Sequence, residues 1–95
     1  MTNVFVEISL QIGNADRPAF KTIYKKYRTL FMESVAGGKS KELLIRDEDI
    51  QVLLGFDTAV NAENYLSSKL FANDVVSELK PLLQANPDVR IYSVS

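Results

Sequence analysis

Three tyrosines are the side chains of this sequence best suited to chemistry. Tyr24 and Tyr27 lie three residues apart in a stretch whose apolar residues recur at intervals of three and four, and Tyr65 follows in a later segment. A phenol inside an apolar cavity can donate a hydrogen bond to a bound carbonyl or phenolate. The alternative is that all three are core aromatics whose hydroxyls reach solvent or the backbone.

The residue types that are missing exclude several other chemistries. The 95-residue chain contains no His, no Cys and no Trp. Without Cys there is no disulfide scaffold, no thiolate nucleophile and no sulfur-ligated zinc, and without His the commonest general base and metal ligand is gone. Ser9 and Ser93 therefore have no imidazole to activate them. We predict neither a metal site nor a cofactor, and no catalytic residue is identified.

Composition and charge point to one ordinary globular domain over residues 1–95. Hydrophobic residues make up 46% and charged residues 24% of the chain, and the net charge is −1. This balance argues against a nucleic-acid partner held through its phosphates. No apolar run approaches the ~20 residues of a membrane span, and the N-terminal residues lack a signal-peptide pattern. We expect a cytoplasmic protein that binds neither nucleic acid nor membrane.

The tyrosines of the first half are carried by a predicted helix that follows a strand. Residues 4–12 alternate between apolar and mixed positions, which predicts a strand. Pro18 suits the first turn of a helix, Asp16 is its predicted N-cap, and Gly37-Gly38 predicts its end. The apolar stripe of this helix comprises Phe20, Ile23, Tyr24, Tyr27, Leu30 and Phe31.

A hairpin is predicted next. Residues 42–46 and 50–56 form its strands, and the acidic residues 47–49 form a solvated turn, since no loop of further oxygen ligands for Ca²⁺ or Mg²⁺ follows them. Gly55, inside the second strand, marks a bulge or a close backbone approach.

The last part of the chain predicts a broken helix and a final strand. Thr58 caps a short helix that ends near Ser67, Ser67 caps a second one, and Pro81 ends regular helix near Lys80. Residues 89–94 form the last strand. The order β-α-β-β-α-β predicts an α+β, ferredoxin-like fold, with a four-stranded antiparallel sheet and both helical regions on one face.

The second face of this sheet carries an unexpected apolar set. One face, with residues 4, 6, 8 and 10 and residues 50, 52, 54 and 56, is wholly apolar and must receive the helices. The opposite face presents an apolar residue from each strand, namely Phe5, Leu44, Leu53 and Tyr92. Such patches usually mark an interaction surface, and we predict a dimer interface here. The alternative is scattered surface hydrophobes, which need no explanation.

Four segments carry a resemblance to a known family. They are residues 52–57 (VLLGFD), 62–68 (AENYLSS), 79–83 (LKPLL) and 89–92 (VRIY). The chain resembles dimeric α+β barrel proteins, and among them the antibiotic-biosynthesis-monooxygenase-like group. The resemblance covers nearly the whole chain in the order of its elements. It implies a homodimer in which two sheets pack face to face, with a cavity between sheet and helices in each subunit.

The same resemblance leaves two functions open. Some members oxidise aromatic substrates without a cofactor, some degrade haem, and many have no known activity. Active members often use His, Trp or Asn in the cavity, so the lack of His and Trp here prevents any carry-over of a catalytic residue. The first hypothesis is a homodimer that binds a small apolar or aromatic ligand beside Tyr24, Tyr27 and Tyr65, or oxidises it without a cofactor. A pocket of roughly 300 Å³ would favour it. The second is a non-enzymatic structural or regulatory dimerisation module.

Overall fold

The elements of the fold follow the predicted order. The computed structural model describes residues 2–95, and Met1 lies outside the described part of the chain. The strands are β1 (Val4–Leu10), β2 (Gly38–Ile45), β3 (Ile50–Phe56) and β4 (Asp88–Ser93). The helices are α1 (Arg17–Ser34), α2 (Ala59–Leu66) and α3, which runs from a π-helical segment (Leu70–Val75) into an α-helical turn (Val76–Leu79). Short 3₁₀ turns precede α1 and follow α3.

The four strands form one antiparallel sheet in the spatial order β2-β3-β1-β4. β1 and β3 occupy the centre, and β2 and β4 are the edges. The helices pack on one side of this sheet and share a single cluster of buried side chains with it. The predicted α+β, ferredoxin-like fold class is confirmed.

The strand register decides which residues face the helices. Ile8 of β1 stands opposite Val52 of β3 and Val89 of β4. The residues of β1 and β3 that alternation assigns to the core face are all buried, and they pack in one cluster with Phe20 and Phe31 of α1. They are Val4, Val6, Ile8, Leu10, Ile50, Val52, Leu54 and Phe56.

β2 begins at Gly38, four residues before the predicted start at residue 42. Gly37, with a φ of 76°, turns the chain after α1 in a backbone conformation that favours glycine, and Gly38 already pairs with Phe56. Backbone hydrogen bonds hold an edge strand in place whatever its side chains are. The polar residues 39–41 therefore carried no apolar pattern that predicts the first part of β2. The extra length places Lys41 opposite Leu54.

Gly55 of β3 is a point of close backbone approach, as predicted. A Cβ atom there would collide with the hydroxyl of Ser40 and would lie 3.0 Å from Cγ2 of Thr2. The register of the β2–β3 ladder slips between Gly38 and Ser40, directly opposite this position. The absence of a side chain at Gly55 therefore leaves room for the irregular start of β2.

β1 ends at Leu10, two residues before the predicted end at Ile12. The carbonyl of Gln11 accepts a hydrogen bond from the backbone N–H of Gln84 at 2.8 Å, and Ile12 forms an isolated bridge with Leu83. The alternation continues past the strand because Ile12 stays buried against the core.

The predicted N-cap at Thr58 and the predicted end of regular helix near Lys80 are confirmed, whereas the predicted N-cap at Asp16 is wrong. Thr58 Oγ1 accepts a hydrogen bond from the N–H of Asn61 at 3.1 Å, and regular helix ends at Leu79, two residues before Pro81. Asp16 makes no side-chain cap bond. Its own backbone is already helical at the end of a 3₁₀ turn, whereas a capping residue needs an extended backbone.

The cap between α2 and α3 is shifted by one residue from the prediction. Ser67 closes α2, where its hydroxyl donates to the carbonyl of Glu63 at 3.1 Å. Ser68 takes the capping role instead, because its hydroxyl oxygen accepts the N–H of Phe71 at 3.2 Å.

The prediction that the acidic turn 47–49 is wholly solvated is wrong for Asp49, which is buried. Arg46 donates to its carboxylate through Nε at 2.6 Å and Nη2 at 3.1 Å, and this hydrogen bonding lowers the pKa of Asp49. Arg17 also donates to the carbonyls of Arg46 and Asp47, at 2.8 and 3.1 Å. Arg17 thus ties the turn to the start of α1, and the two hydrogen bonds from Arg46 compensate the buried carboxylate of Asp49.

Candidate functional site

A cavity of about 50 Å³ lies between the core face of the sheet and the helices α1 and α3. Its wall is apolar except for four side chains, Tyr24, Tyr27, Lys41 and Tyr65. Half-buried wall residues such as Ile23 of α1 and Val76 of α3 bring the cavity close to the surface between the two helices. The volume is about a sixth of the roughly 300 Å³ at which ligand pockets usually begin, so only a small molecule fits.

The π-helical segment of α3 builds one side of the cavity. Phe71, Val75, Val76 and Leu79 all line it. A π-helical turn is wider than an α-helical one and brings residues five apart, here Phe71 and Val76, onto the same face. π-helical turns occur frequently at functional sites. The sequence did not predict this π-helical segment, because apolar residues four and five apart cannot be distinguished from the apolar stripe of an ordinary α-helix.

The wall of this one cavity brings together the three tyrosines singled out from the sequence. The hydroxyl of Tyr24 donates to the carbonyl of Lys41 at 2.9 Å. The ring of Tyr27 lies 5.0 Å from Nζ of Lys26, towards the outer surface. The side chain of Tyr65 is buried and also packs against the ring of Phe71, with centroids 5.2 Å apart. Tyr24 thus matches the core-aromatic alternative, in which the hydroxyl bonds to the backbone.

Burial raises the pKa of all three phenols above the usual 10. It is the largest cause at Tyr24 and Tyr27, and it raises the pKa of Tyr65 to about 12. Near neutral pH the three hydroxyls are therefore protonated. They cannot serve as bases at that pH, and the one proton of Tyr24 is already donated to the carbonyl of Lys41.

Lys41 is the polar residue of this cavity that sequence reasoning missed. Only 4% of it is exposed. Its Nζ lies 5.5 Å from the centroid of the Tyr24 ring and 5.7 Å from that of Phe31. No acidic side chain among residues 2–95 forms an ion pair with it. Two aromatic faces are thus the partners of a buried ammonium group, and they compensate its lost hydration only in part.

The surroundings of Lys41 change its protonation. Burial, followed by the positive charge of Arg28, lowers the pKa of Lys41 to about 8. At pH 7 about a tenth of the molecules then carry a neutral amine here, compared with fewer than about one in 1,000 for an exposed lysine. The backbone of Lys41 is held in place, since its carbonyl accepts hydrogen bonds from Tyr24 and from Nε of Arg28 at 3.1 Å.

The sequence does contain a signal for Lys41. Leu43 of β2 faces the core opposite Val52, and period-two alternation places residue 41 on the same face. The signal was missed because the predicted strand began at residue 42, one position after Lys41.

The outer face of the sheet carries the second candidate site, called the outer patch and made of Phe5, Leu44, Leu53 and Tyr92. The register pairs Phe5 with Tyr92 across β1 and β4. Leu44 and Tyr92 are each 46% exposed, and Phe5 and Leu53 are half-buried. The outer patch takes one residue from each strand, but only Phe5 and Tyr92 are direct neighbours, since Leu53 stands between Glu7 and Glu42 and Leu44 stands opposite Gln51.

Two other kinds of site find no support in the described residues. Within residues 2–95, acidic side chains form no group of three or more that could hold a metal ion. No helix in the same range has the length and apolar character needed to cross a bilayer. The cavity and the outer patch remain as the candidate sites.

Comparison with known proteins gives matches to solved structures alone. No family model matches the sequence, and no curated protein matches it. A Caulobacter crescentus CB15 protein, provisionally named an antibiotic biosynthesis monooxygenase, superposes with a TM-score of 0.85 at 11% identity over 99% of this chain and 91% of that one. A Bordetella bronchiseptica protein with the same provisional name gives 0.82 at 16% identity over 98% of both chains.

Rv0793 of Mycobacterium tuberculosis gives a TM-score of 0.81 at 12% identity, over 99% of this chain and 96% of that one. Likeness at such identities shows the fold. The resemblance to the antibiotic-biosynthesis-monooxygenase-like group is confirmed at that level.

Proposed function

We propose that this protein is a homodimer in which each subunit binds a small apolar or aromatic molecule in the cavity between sheet and helices. The observation that carries the proposal is the cavity wall, which is apolar and carries three phenols and one amine. An apolar pocket with a few polar groups is the usual form of a small-molecule site. The volume of about 50 Å³ limits the ligand to a few heavy atoms, unless α1 and α3 separate to admit an aromatic ring.

Ligand binding is tested by amide chemical shifts under xenon pressure and in the presence of phenol. Xenon is a probe for small apolar cavities, and phenol tests whether the wall opens for a ring. We expect shifts at Phe71, Val75 and Leu79 of α3, which line the cavity. A Val75→Met variant fills the space and should abolish them. The matched control is Val60→Met, because Val60 is 65% exposed and is not part of the wall.

Absence of shifts with both probes would overturn ligand binding and leave the dimerisation module as the function. One observation favours that alternative, namely a cavity much smaller than the roughly 300 Å³ of a typical pocket. A dimer without ligand response would then be the expected result.

Cofactorless oxidation of an aromatic substrate is the enzymatic form of the proposal. It is supported by the fold shared with provisionally named monooxygenases and by the phenol donors of the wall. Its test is oxygen uptake with small phenols as substrates. Uptake that requires the protein, survives in Val60→Met and is lost in Val75→Met supports the enzyme. Equal uptake with and without protein contradicts it.

The proposed dimer forms through the outer patch. Four apolar residues, one from each strand, are exposed or half-buried on this face, and a second copy presents the same four residues. We expect sedimentation to give twice the chain mass of 10.7 kDa at micromolar concentration. Leu53→Asp should split the dimer, whereas Leu30→Asp, at a 40% exposed position on α1, should not.

A wild-type protein that sediments as a monomer would overturn the dimer, and a Leu53→Asp variant that stays dimeric would place the interface elsewhere.

The proposal includes a cytoplasmic location and no nucleic-acid or membrane partner. These parts are supported by the near-neutral charge and the moderate hydrophobicity of the sequence. Cell fractionation of the full-length protein tests the location.

A further inference from the structure

We propose that Lys41 is a covalent binding site, at which the side-chain amine forms a reversible imine with a short aliphatic aldehyde that enters the cavity. This inference rests on the proposed function, because the aldehyde must occupy the same cavity.

The position of Lys41 separates it from an ordinary lysine. Its side chain is nearly fully buried and belongs to the cavity wall, between the rings of Tyr24 and Phe31. A buried lysine normally has a carboxylate partner, and none pairs with this one among residues 2–95. An ammonium that only two aromatic faces compensate is costly in an apolar wall, so conversion of the amine to a neutral product is favoured.

The surroundings of the Lys41 amine also make it nucleophilic. Its pKa of about 8 leaves a useful neutral fraction at pH 7. Desolvation in an apolar pocket is an established way to make a lysine nucleophilic towards carbonyl compounds. The charged group that faces it from α1 is Arg28, which disfavours the ammonium form further.

The step balances without an oxidant or a metal ion. The neutral Nζ of Lys41 attacks the carbonyl carbon, a C–N bond forms, the C=O π bond breaks, and one proton of the nitrogen passes to the carbonyl oxygen. The resulting carbinolamine then loses water: its C–O bond breaks, a C=N bond forms, and the second proton of the nitrogen leaves with the departing hydroxyl. The side chain of Tyr65 belongs to the same wall.

The size and polarity of the cavity define the class of aldehyde. Its volume of about 50 Å³ is roughly a third of the ~150 Å³ cavity that accepts benzene. The cavity therefore accepts an aldehyde of about two to four heavy atoms. The wall lacks a polar group for a carboxylate or phosphate other than Lys41 and the phenols, so a neutral aliphatic aldehyde fits best.

The test is reductive trapping of the full-length protein with acetaldehyde and sodium cyanoborohydride at pH 7, followed by peptide mass mapping. We expect an ethyl group at Lys41 at least about ten-fold faster than at any other lysine, because exposed amines are almost fully protonated at that pH. Xenon should slow the modification of Lys41 and leave that of the exposed lysines, for example Lys21 and Lys69, unchanged. This competition needs no variant. Val75→Met should slow it as well, and Val60→Met should not.

Modification of Lys41 at the same rate as exposed lysines would overturn the imine site. Xenon-induced shifts around the cavity together with an unreactive Lys41 would overturn the imine alone and leave ligand binding standing. Failure of both xenon binding and trapping would overturn the imine and the proposed function together.

Discussion

The core beneath the helices has a packed half and a hollow half. In the packed half, Phe31, Phe56 and Tyr65 meet with ring centroids 5.3 to 5.8 Å apart, and Phe31 contacts both of the other rings edge to face. In the hollow half, α1 and α3 leave a cavity of about 50 Å³ over β1 and β3. Both halves are built from apolar and aromatic side chains, and Tyr65 belongs to both.

The difference between the halves comes from what the edge strand and α3 contribute. β2 places Lys41 opposite Leu54, and both side chains line the cavity. α3 contributes a π-helical segment, whose wide turn spreads its side chains around the gap. Hydrophobic content alone therefore does not fill a core. In this core, the wide turn of α3 and the charged side chain of Lys41 both border the space that stays open.

The largest contrast is expected from removing one ring in each half. Phe31→Ala should lower the free energy of unfolding by about 3–5 kcal/mol, because Phe31 is fully buried and leaves a new void. Phe71→Ala removes a half-buried ring that borders existing space, so its cost should be smaller. Urea unfolding of both variants measures the contrast. Equal losses would show that the two halves are packed alike.

A pH-dependent contrast is expected at Lys41. The folded-state pKa of about 8 lies below the unfolded value near 10.5, so between these values the unfolded chain binds more protons and stability rises with pH. Lys41→Met lacks this rise. The stability difference between Lys41→Met and the wild type should therefore change by about 2 kcal/mol, in favour of the wild type, between pH 7 and pH 9.5. Denaturant titrations at both pH values measure it, and parallel pH profiles would refute a buried ammonium.

A smaller contrast is expected from adding one methylene group to each half. Val6→Ile enlarges a fully buried residue outside the cavity wall and should cost about 1–3 kcal/mol. Val52→Ile enlarges a residue of the wall, so the extra group finds space and its cost should be less than about 1 kcal/mol. Thermal unfolding of the two variants measures the difference. A costlier Val52→Ile would mean that the cavity is closed in solution.

The smallest effect is expected at the ion pair that joins the helices over the hollow half. Lys26 of α1 donates to Glu78 of α3 at 2.7 Å, and this bond lowers the pKa of Glu78. Both side chains are exposed, so Glu78→Gln should change stability slightly and only at low salt. Hydrogen exchange of α3 at low and high salt checks this. A large change that persists at high salt would show that the pair holds the cavity closed.

Sequence patterns predicted most of the scaffold and part of the candidate site. The period-two alternation of β1 and β3 indicated the core face correctly, because each strand has one buried face and one face turned away. The three tyrosines were found through the stripe of α1 and the apolar residues of α2. Lys41 and the start of β2 were missed, since an edge strand is held by backbone pairing with Gly55 and Leu54 rather than by its own pattern.

β4 illustrates the same limit. Val89 and Ile91 share the core face with Ile8 and Val6, yet they are 41% and 42% exposed. The apolar residues of β4 alternate with period two, as those of the central strands β1 and β3 do. No local pattern reveals that the helices stop short of this edge of the sheet, because helix placement depends on contacts far apart in the sequence.

The order of the predicted elements along the sequence was enough to predict the ferredoxin-like fold. Alternation of apolar residues predicted the strands, spacings of three and four predicted the helices, and glycine and threonine indicated helix ends. The tertiary structure alone decided that Lys41 would be buried without a carboxylate and that a cavity would remain beside it. A pKa and a void both depend on the neighbours of a side chain in space, and those neighbours come from segments that lie far apart in the sequence.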